Sequence, residues 1–221
     1  SKAKEQRPWR LLLWAAVVSI LFGLLGVDEA PDDLLRVLRN NLHAEAASQQ
    51  TVFVGIDDQS LQGVGSWPWS RSQQARLIEQ AKKAGAERVF VDLIYDSPGT
   101  PEHDKTLERT LSRYEGVTIA DRSATGVALD MRRSTPILQR FARHAQTASI
   151  TVGYNWQSSV RSLSLSDITN LGRKPTFAAA LARYPATSDG RFNIDYSISP
   201  LTVPYVSAVD LLGGKVTSLA G

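Results

Sequence analysis

The sequence predicts an α/β fold with a central, largely parallel sheet, mixed at one edge, with helices on both faces and an N-terminal transmembrane helix before it. Two apolar runs, residues 52–56 and 89–94, have the β-branched composition of strands that are buried on both faces. An amphipathic helical pattern lies between them, and a crossover of this length joins parallel strands with a right-handed connection. Residues 52–96 are therefore predicted to form a strand–helix–strand unit.

The helix of this unit has recognisable start and stop signals. Ser70, followed by Gln73 three residues later, has the pattern of a capping box, and Gly85 stands where a left-handed helix stop is expected. A loop with two glycines and a Trp-Pro-Trp triplet, residues 59–69, is predicted before the helix. The apolar face of the helix consists of Leu77, Ile78, Ala81 and Ala84.

The rest of the chain continues the alternation of helices and strands. A helix after residue 101 leads to a third parallel strand at residues 117–120, and a long surface loop is predicted at residues 121–135. The later predicted elements are a short helix from Pro136, a strand at 148–154, half-exposed strands at 161–166 and 191–197, of which the first is antiparallel, a helix at 175–184 and a last helix or turn at 203–212.

The N-terminus has the charge pattern of a membrane anchor. Residues 1–10 are basic, residues 11–27 form an uncharged apolar run, and acidic residues follow. The positive-inside rule predicts a cytoplasmic tail at 1–10, a transmembrane helix at 11–27 in the cytoplasmic (inner) membrane, and an extracytoplasmic, periplasmic remainder. A cleaved signal peptide is the competing interpretation, but the run is long for its apolar region and residues 27–30 are a poor cleavage site.

Residues 28–50 are predicted to form a stalk or packing helix, and residues 51–221 the extracytoplasmic domain. Leu34, Leu35, Leu38 and Leu42 lie on one side of this helix. Such a face suits a dimer contact in a signalling helix as well as ordinary packing, and the pattern leaves both open. A homodimer is the expected assembly.

Several functional classes are disfavoured by composition and motifs. The chain has no Cys, and its net charge of +3 owes much to the basic first ten residues, so thiol chemistry is excluded and nucleic-acid binding is not expected. Common nucleotide-binding and hydrolase motifs are missing, and the three His residues lack ligand spacing. We predict no catalytic residue, metal site or cofactor in this chain.

Candidate ligand-binding residues cluster in the strand–helix–strand unit. Acidic residues follow both predicted strands, at the sheet edge where α/β folds usually bind ligands. Each such Asp could instead cap a turn, and the arginine at the helix start could form a buried pair with Asp57, Asp58 or Asp92. The two tryptophans could line a pocket or merely cover the core. The candidates are Asp57, Asp58, Trp67, Trp69, Arg71, Asp92 and Asp96.

Three motifs in this unit, GIDDQSL, GSWPWSR and KAGAERVFVDLIY, resemble the CHASE domain of the second type. Tyr95 stands where that family's pattern has Phe. Two later segments, FNIDY from Phe192 and SAVDLLG from Ser207, match the pattern more loosely, so the resemblance extends over residues 52–212.

The resemblance implies a sensory domain of a transmembrane receptor, without chemistry of its own, that binds an unknown ligand or responds to the envelope. In the resembled family, such a domain is followed by further transmembrane helices and by a histidine kinase, adenylate cyclase or diguanylate cyclase output domain, and the resemblance implies the same continuation here. Two alternatives are kept: a membrane-anchored, metal-dependent hydrolase that uses the Asp cluster, and a structural dimerisation module.

Overall fold

The computed structural model describes residues 8–24, 40, 42–125, 132–134, 136–153, 160–185 and 187–219 of the 221-residue chain. The chain divides into two compact units. The first unit comprises residues 1–47 and 196–202, and the second comprises residues 48–195 and 203–221.

The first unit contains the N-terminal helix α1, Pro8–Leu24, which is 17 residues long. Residues 11–24 of the predicted transmembrane segment at 11–27 are helical, and residues 25–27 lie outside the described residues. No helix among residues 8–24 and the other described ranges is long and apolar enough to cross a membrane. A parallel bridge joins Glu45 to Ile198, next to the 3-10 turn Pro200–Thr202. Most of the predicted stalk at 28–50, namely residues 28–39 and 41, lies outside the described residues.

The second unit alternates strands and helices, as the sequence predicts. Its elements are β1 (Phe53–Gly55), α2 (Asp58–Val64), α3 (Arg71–Lys83), β2 (Val89–Ile94), α4 (Pro101–Arg113), β3 (Val117–Asp121), β4 (Ser123–Thr125), β5 (Arg132–Ser134), α5 (Gln139–Ala142), β6 (Gln146–Ser149), β7 (Ser162–Ser164), β8 (Ser166–Thr169), β9 (Gly172–Pro175), α6 (Phe177–Leu181), β10 (Arg191–Asn193), β11 (Tyr205–Ser207) and α7 (Ala208–Leu212).

The central strands β2, β3 and β6 form a parallel sheet in the order β2-β3-β6. A parallel bridge from Ser149 to Thr176 then leads to a mixed sheet in the order β4-β5-β8-β9. In that sheet, β5 and β8 are parallel, whereas the β4–β5 and β8–β9 pairs are antiparallel. The α/β class and the parallel strands are therefore confirmed.

The prediction of one central sheet that contains both β1 and β2 is wrong. β1 pairs in parallel with β11, near the C-terminus, with Phe53 opposite Tyr205. The β1–β11 pair and the β2-β3-β6 sheet have no strand in common. Both contact helix α3, since Val54 of β1 and Val89 of β2 pack against the apolar cluster around Ala81. Apolar periodicity identifies a strand but does not specify its neighbour.

Helices lie on both faces of the parallel sheet. Val89, Val91 and Leu93 of β2 face a core that α3, α4 and α5 complete. The intervening residue Phe90 points the other way, and its ring meets Phe177 of α6 edge-on at a centroid distance of 5.3 Å. The alternation of side chains along β2 thus places one helical layer on each face.

The local signals around α3 are confirmed. Ser70 and Gln73 form the capping box, and Gly85 has φ of +94° in a stop where the Ala86 amide donates to the Ala81 carbonyl at 3.1 Å. The antiparallel pairing of β7 is also confirmed, with β10 as its partner.

Three loop and strand boundaries differ from the predictions. Residues 58–64 form helix α2 instead of part of a loop, because Asp57 caps them. The predicted loop at 121–135 contains the paired strands β4 and β5. The strand predicted at 148–154 is β6, which begins at Gln146 and ends at Ser149. Short polar strands such as β4 and β5 carry little apolar pattern, and their tertiary partners define them.

Leu107 of α4 is fully buried in the core between the sheet and the helices. We expect Leu107→Ala to lower the free energy of unfolding by about 2–5 kcal/mol, since it removes buried methyl groups and leaves a cavity. Urea unfolding followed by circular dichroism measures the change. The matched control is Leu171→Ala, whose side chain is half exposed and whose loss should leave the midpoint nearly unchanged. Equal losses in the two variants would contradict this core assignment.

Candidate functional site

The end of β1 is organised around the carboxylate of Asp57. Its Oδ1 accepts hydrogen bonds from the Ser60 amide at 2.9 Å and from the Ser207 hydroxyl at 2.8 Å, and its Oδ2 accepts one from the Tyr205 hydroxyl at 2.9 Å. The hydrogen bonds from Ser60, then from Ser207 and Tyr205, hold the pKa of Asp57 well below its usual range. Asp57 is therefore ionised throughout the physiological pH range.

A chain of hydrogen bonds continues from Asp57 into the C-terminal part of the unit. The Ser207 hydroxyl donates to Asp57, so it accepts from the buried Ser60 hydroxyl, 2.9 Å away. The Ser60 oxygen in turn accepts the Val209 amide at 3.0 Å. Each donor in this series of hydrogen bonds has an acceptor. The series connects the turn between β1 and α2 to the turn between β11 and α7.

Tyr205 reaches Asp57 by crossing over Gly55. A Cβ atom at Gly55 would lie 2.2 Å from the Tyr205 hydroxyl oxygen, so only glycine allows the ring to occupy this place. The ring also stacks on Phe53, with a centroid distance of 5.9 Å and an interplanar angle of 28°. Phe53 and Tyr205 remain 61% and 53% exposed, respectively.

The Trp-Pro-Trp triplet divides between core and surface. Trp69 is buried and its indole N–H donates to the Gly65 carbonyl at 2.8 Å, whereas Trp67 stays exposed, with its ring centroid 6.4 Å from that of Trp69. The Trp67–Pro68 peptide bond is cis. The sequence allowed two roles for the tryptophans, lining a pocket or covering the core. Trp69 has the second role.

Arg71 forms a buried ion pair at the start of α3, but its partner is Asp104 of α4. Its guanidinium donates to Asp104 Oδ1 and to the Ser97 carbonyl, each at 2.5 Å. The same group lies over the rings of Tyr95 and Phe141 at 5.6 and 5.3 Å. The prediction that Asp57, Asp58 or Asp92 would be this partner is therefore wrong.

Asp104 is only 2% exposed and collects several donors. Besides Arg71, its Oδ2 accepts the Gly99 amide at 3.1 Å and lies 3.6 Å from a guanidinium nitrogen of Arg140. Burial raises the pKa of Asp104, but the Arg71 and Gly99 hydrogen bonds and the charges of Arg71 and Arg140 outweigh it and hold the pKa below its usual value. Sequence spacing alone does not reveal this partner, because Asp104 looks like an ordinary acid in the first turn of a helix.

The remaining acidic candidates lie apart from one another. Asp58 is the first residue of α2 and is exposed, Asp92 is exposed on β2, and an Asp96 carboxylate oxygen lies 3.9 Å from a guanidinium nitrogen of Arg122. Across the described parts of the chain, no group of three or more acidic or His side chains could hold a metal ion. The Asp cluster on which the hydrolase alternative depends is therefore not assembled within those residues.

A second buried polar cluster lies at the carboxyl ends of β3 and β6. Asp121 is fully buried and pairs with Lys174 of β9, while the buried Ser149 donates to Asp167 of β8 at 2.5 Å. Burial lowers the pKa of Lys174. These contacts fasten the β8–β9 hairpin to the parallel sheet. The sequence analysis missed them, although an acid that ends the apolar run VTIAD is a signal of the same kind as Asp57.

The family model of the CHASE2 domain matches residues 11–220. The chain belongs to the CHASE2 domain family. CHASE2 domains are sensory extracellular domains of signalling receptors. No match was found among curated proteins or among solved structures. The resemblance seen in the sequence motifs is thus confirmed and extends over almost the whole CHASE2 chain.

The buried position of Asp104 in this CHASE2 domain makes it sensitive to neutralisation. We expect Asp104→Asn to lower the free energy of unfolding at pH 7 by about 3 kcal/mol, since it leaves Arg71 without its buried counter-charge. Urea unfolding measures this loss. The control is Asp92→Asn on the exposed side of β2, which should leave the midpoint unchanged.

The pH dependence supplies a second readout for Asp104. Its pKa is lowered in the folded state, so its stabilising effect is present above the pKa of the unfolded chain and is lost as the pH falls through the lowered folded value. As the pH falls below about 4, the ordinary pKa of an Asp side chain, the wild-type protein should therefore lose stability more steeply than Asp104→Asn. Parallel pH profiles for the two proteins would contradict the assignment.

Proposed function

We propose that this CHASE2 domain is the extracytoplasmic sensory part of a membrane-anchored receptor. It senses a ligand or a change in the envelope and passes a conformational change to a cytoplasmic output, either a histidine kinase, an adenylate cyclase or a diguanylate cyclase. The observation that carries the proposal is the family match over residues 11–220. The domain itself performs no catalysis and requires neither a cofactor nor nucleic acid.

The N-terminal segment supports the anchoring part of the proposal. After Arg10, helix α1 carries no charged residue, and large apolar side chains such as Leu12, Trp14 and Ile20 are exposed along it. Basic residues precede the apolar run and acidic residues follow it. This asymmetry favours a cytoplasmic N-terminus and a periplasmic domain in the cytoplasmic membrane.

The hydrogen-bond chain from Asp57 supports a route for the conformational change. It joins the first strand of the second unit to its last strand and helix through Ser207, Ser60 and Val209. A ligand that binds one arrangement of this junction more tightly shifts the equilibrium between two states of the domain. The size of the shift is set by the difference between the ligand's affinities for the two states.

A homodimer is part of the same proposal. Leu42 is 77% exposed, and it belongs to the apolar positions that the sequence places on one side of residues 31–42. Paired apolar faces of this kind are common between signalling helices, and they also suit the purely structural dimerisation module. A ligand response distinguishes the receptor from that module.

Membrane anchoring can be tested on the full chain carrying a C-terminal alkaline phosphatase, which is active only outside the cytoplasm. We expect phosphatase activity in intact cells, and retention of the fusion in the membrane fraction after carbonate washing. Val17→Arg should move most of the protein out of the membrane fraction, since a charge near the helix centre costs about 2.5–3.5 kcal/mol on insertion. The control Leu201→Arg alters an exposed residue outside α1 and should leave anchoring intact. An inactive reporter, or release of the wild-type chain by carbonate, would refute the proposed topology.

A further inference from the structure

The ladder formed by β1 and β11 has one covered face and one open face. Val54 and Val206 point into the core around Ala81 and Leu211. On the other face, the stacked rings of Phe53 and Tyr205 are more than half exposed. Parallel ladders usually have both faces covered, so two adjacent exposed aromatic rings at this place are unusual.

The two rings are held in place before any ligand arrives. The Tyr205 hydroxyl donates to Asp57 Oδ2 at 2.9 Å, and the ring lies where a side chain at position 55 would otherwise stand. Phe53 stacks against that fixed ring, and its amide donates to the Pro204 carbonyl at 2.8 Å. Rings fixed in this way lose little conformational entropy on binding.

The charge beside the rings is negative. Asp57 touches Tyr205 directly, and Asp58 follows it in the chain. Within the parts of the chain that the structure describes, no Lys, Arg or His forms an ion pair with either carboxylate. Aromatic ring faces and a nearby carboxylate together attract a cation, and they repel an anion.

We propose that Phe53, Tyr205 and Asp57 form a binding site for a small organic cation of the quaternary ammonium class. The rings supply apolar and cation–π contact, and Asp57 supplies the negative charge. A bare metal ion is a poorer fit, because the Asp57 oxygens already accept three hydrogen bonds and an ion such as Ca²⁺ needs six to eight oxygen ligands. The inference rests on the proposed sensory function, for which it names the ligand class.

The test uses the full chain in detergent with choline as the probe and 3,3-dimethylbutan-1-ol as its uncharged isostere, by isothermal titration calorimetry. We expect choline to bind at least about tenfold more tightly than the uncharged alcohol, because only choline gains from the ring faces and the carboxylate. Phe53→Leu should weaken choline binding about tenfold, whereas Phe53→Trp, which keeps a ring, should retain it.

Two controls show whether a loss of choline binding is specific to the site. Tyr184→Leu removes another half-exposed aromatic ring and should leave choline binding unchanged. Thermal unfolding of each variant establishes that it is folded. The inference is overturned by a failure of choline to bind, by equal binding of the uncharged alcohol, or by equal losses in Phe53→Leu and Phe53→Trp. Because calorimetry requires neither membrane insertion nor an output domain, a negative result here is separable from failure of the topology experiment.

Discussion

The carboxylate of Asp57 is the constraint on which the second unit depends most directly. Strand β1 has only three residues, too few to be stable by itself, and its partner β11 is far away in the chain, with Phe53 paired to Tyr205. Closing so long a loop costs conformational entropy, which the new contacts must offset. The three hydrogen bonds to Asp57 form where β1 ends and come from both sides of the junction, so they favour this pairing over a pairing with β2. A fully paired carboxylate also specifies the register, since a slip by one residue would leave it without its donors.

The guanidinium of Arg71 is a second charged group that fixes the position of a secondary-structure element, in this case helix α3. Arg71 begins this helix, where a cation opposes the helix dipole, and its position is explained by what it contacts: Asp104, the Ser97 carbonyl and two aromatic rings. Breaking such a buried ion pair leaves one charge buried without a partner. Arrangements that separate Arg71 from Asp104 are therefore strongly disfavoured, even where the net stabilisation by the pair is small. Helix α3 is thereby fixed to the loop after β2 and to α4, while its apolar face packs against the core.

These polar junctions are compatible with a sensor. A domain that reports a ligand needs two arrangements of similar free energy, and polar networks rearrange between discrete hydrogen-bond patterns more readily than a close-packed apolar core deforms. The Asp57 chain connects the first and last strands of the second unit, and the open aromatic pair lies directly beside it. A cation bound there would act on the same carboxylate that holds the junction together. Binding and conformational change would then share one group.

The sequence by itself determined the α/β class, the helix α3 with its capping box and glycine stop, and the family, because these depend on local periodicity and short motifs. It also raised the correct alternatives for Asp57 and Arg71, namely a cap and a buried pair. Only the tertiary structure decided the partners: β11 for β1, Asp104 for Arg71, and Lys174 for Asp121. The physical reason is that each of these contacts joins residues more than 30 positions apart, and composition along the chain carries no information about which distant group will satisfy a buried charge or a strand edge.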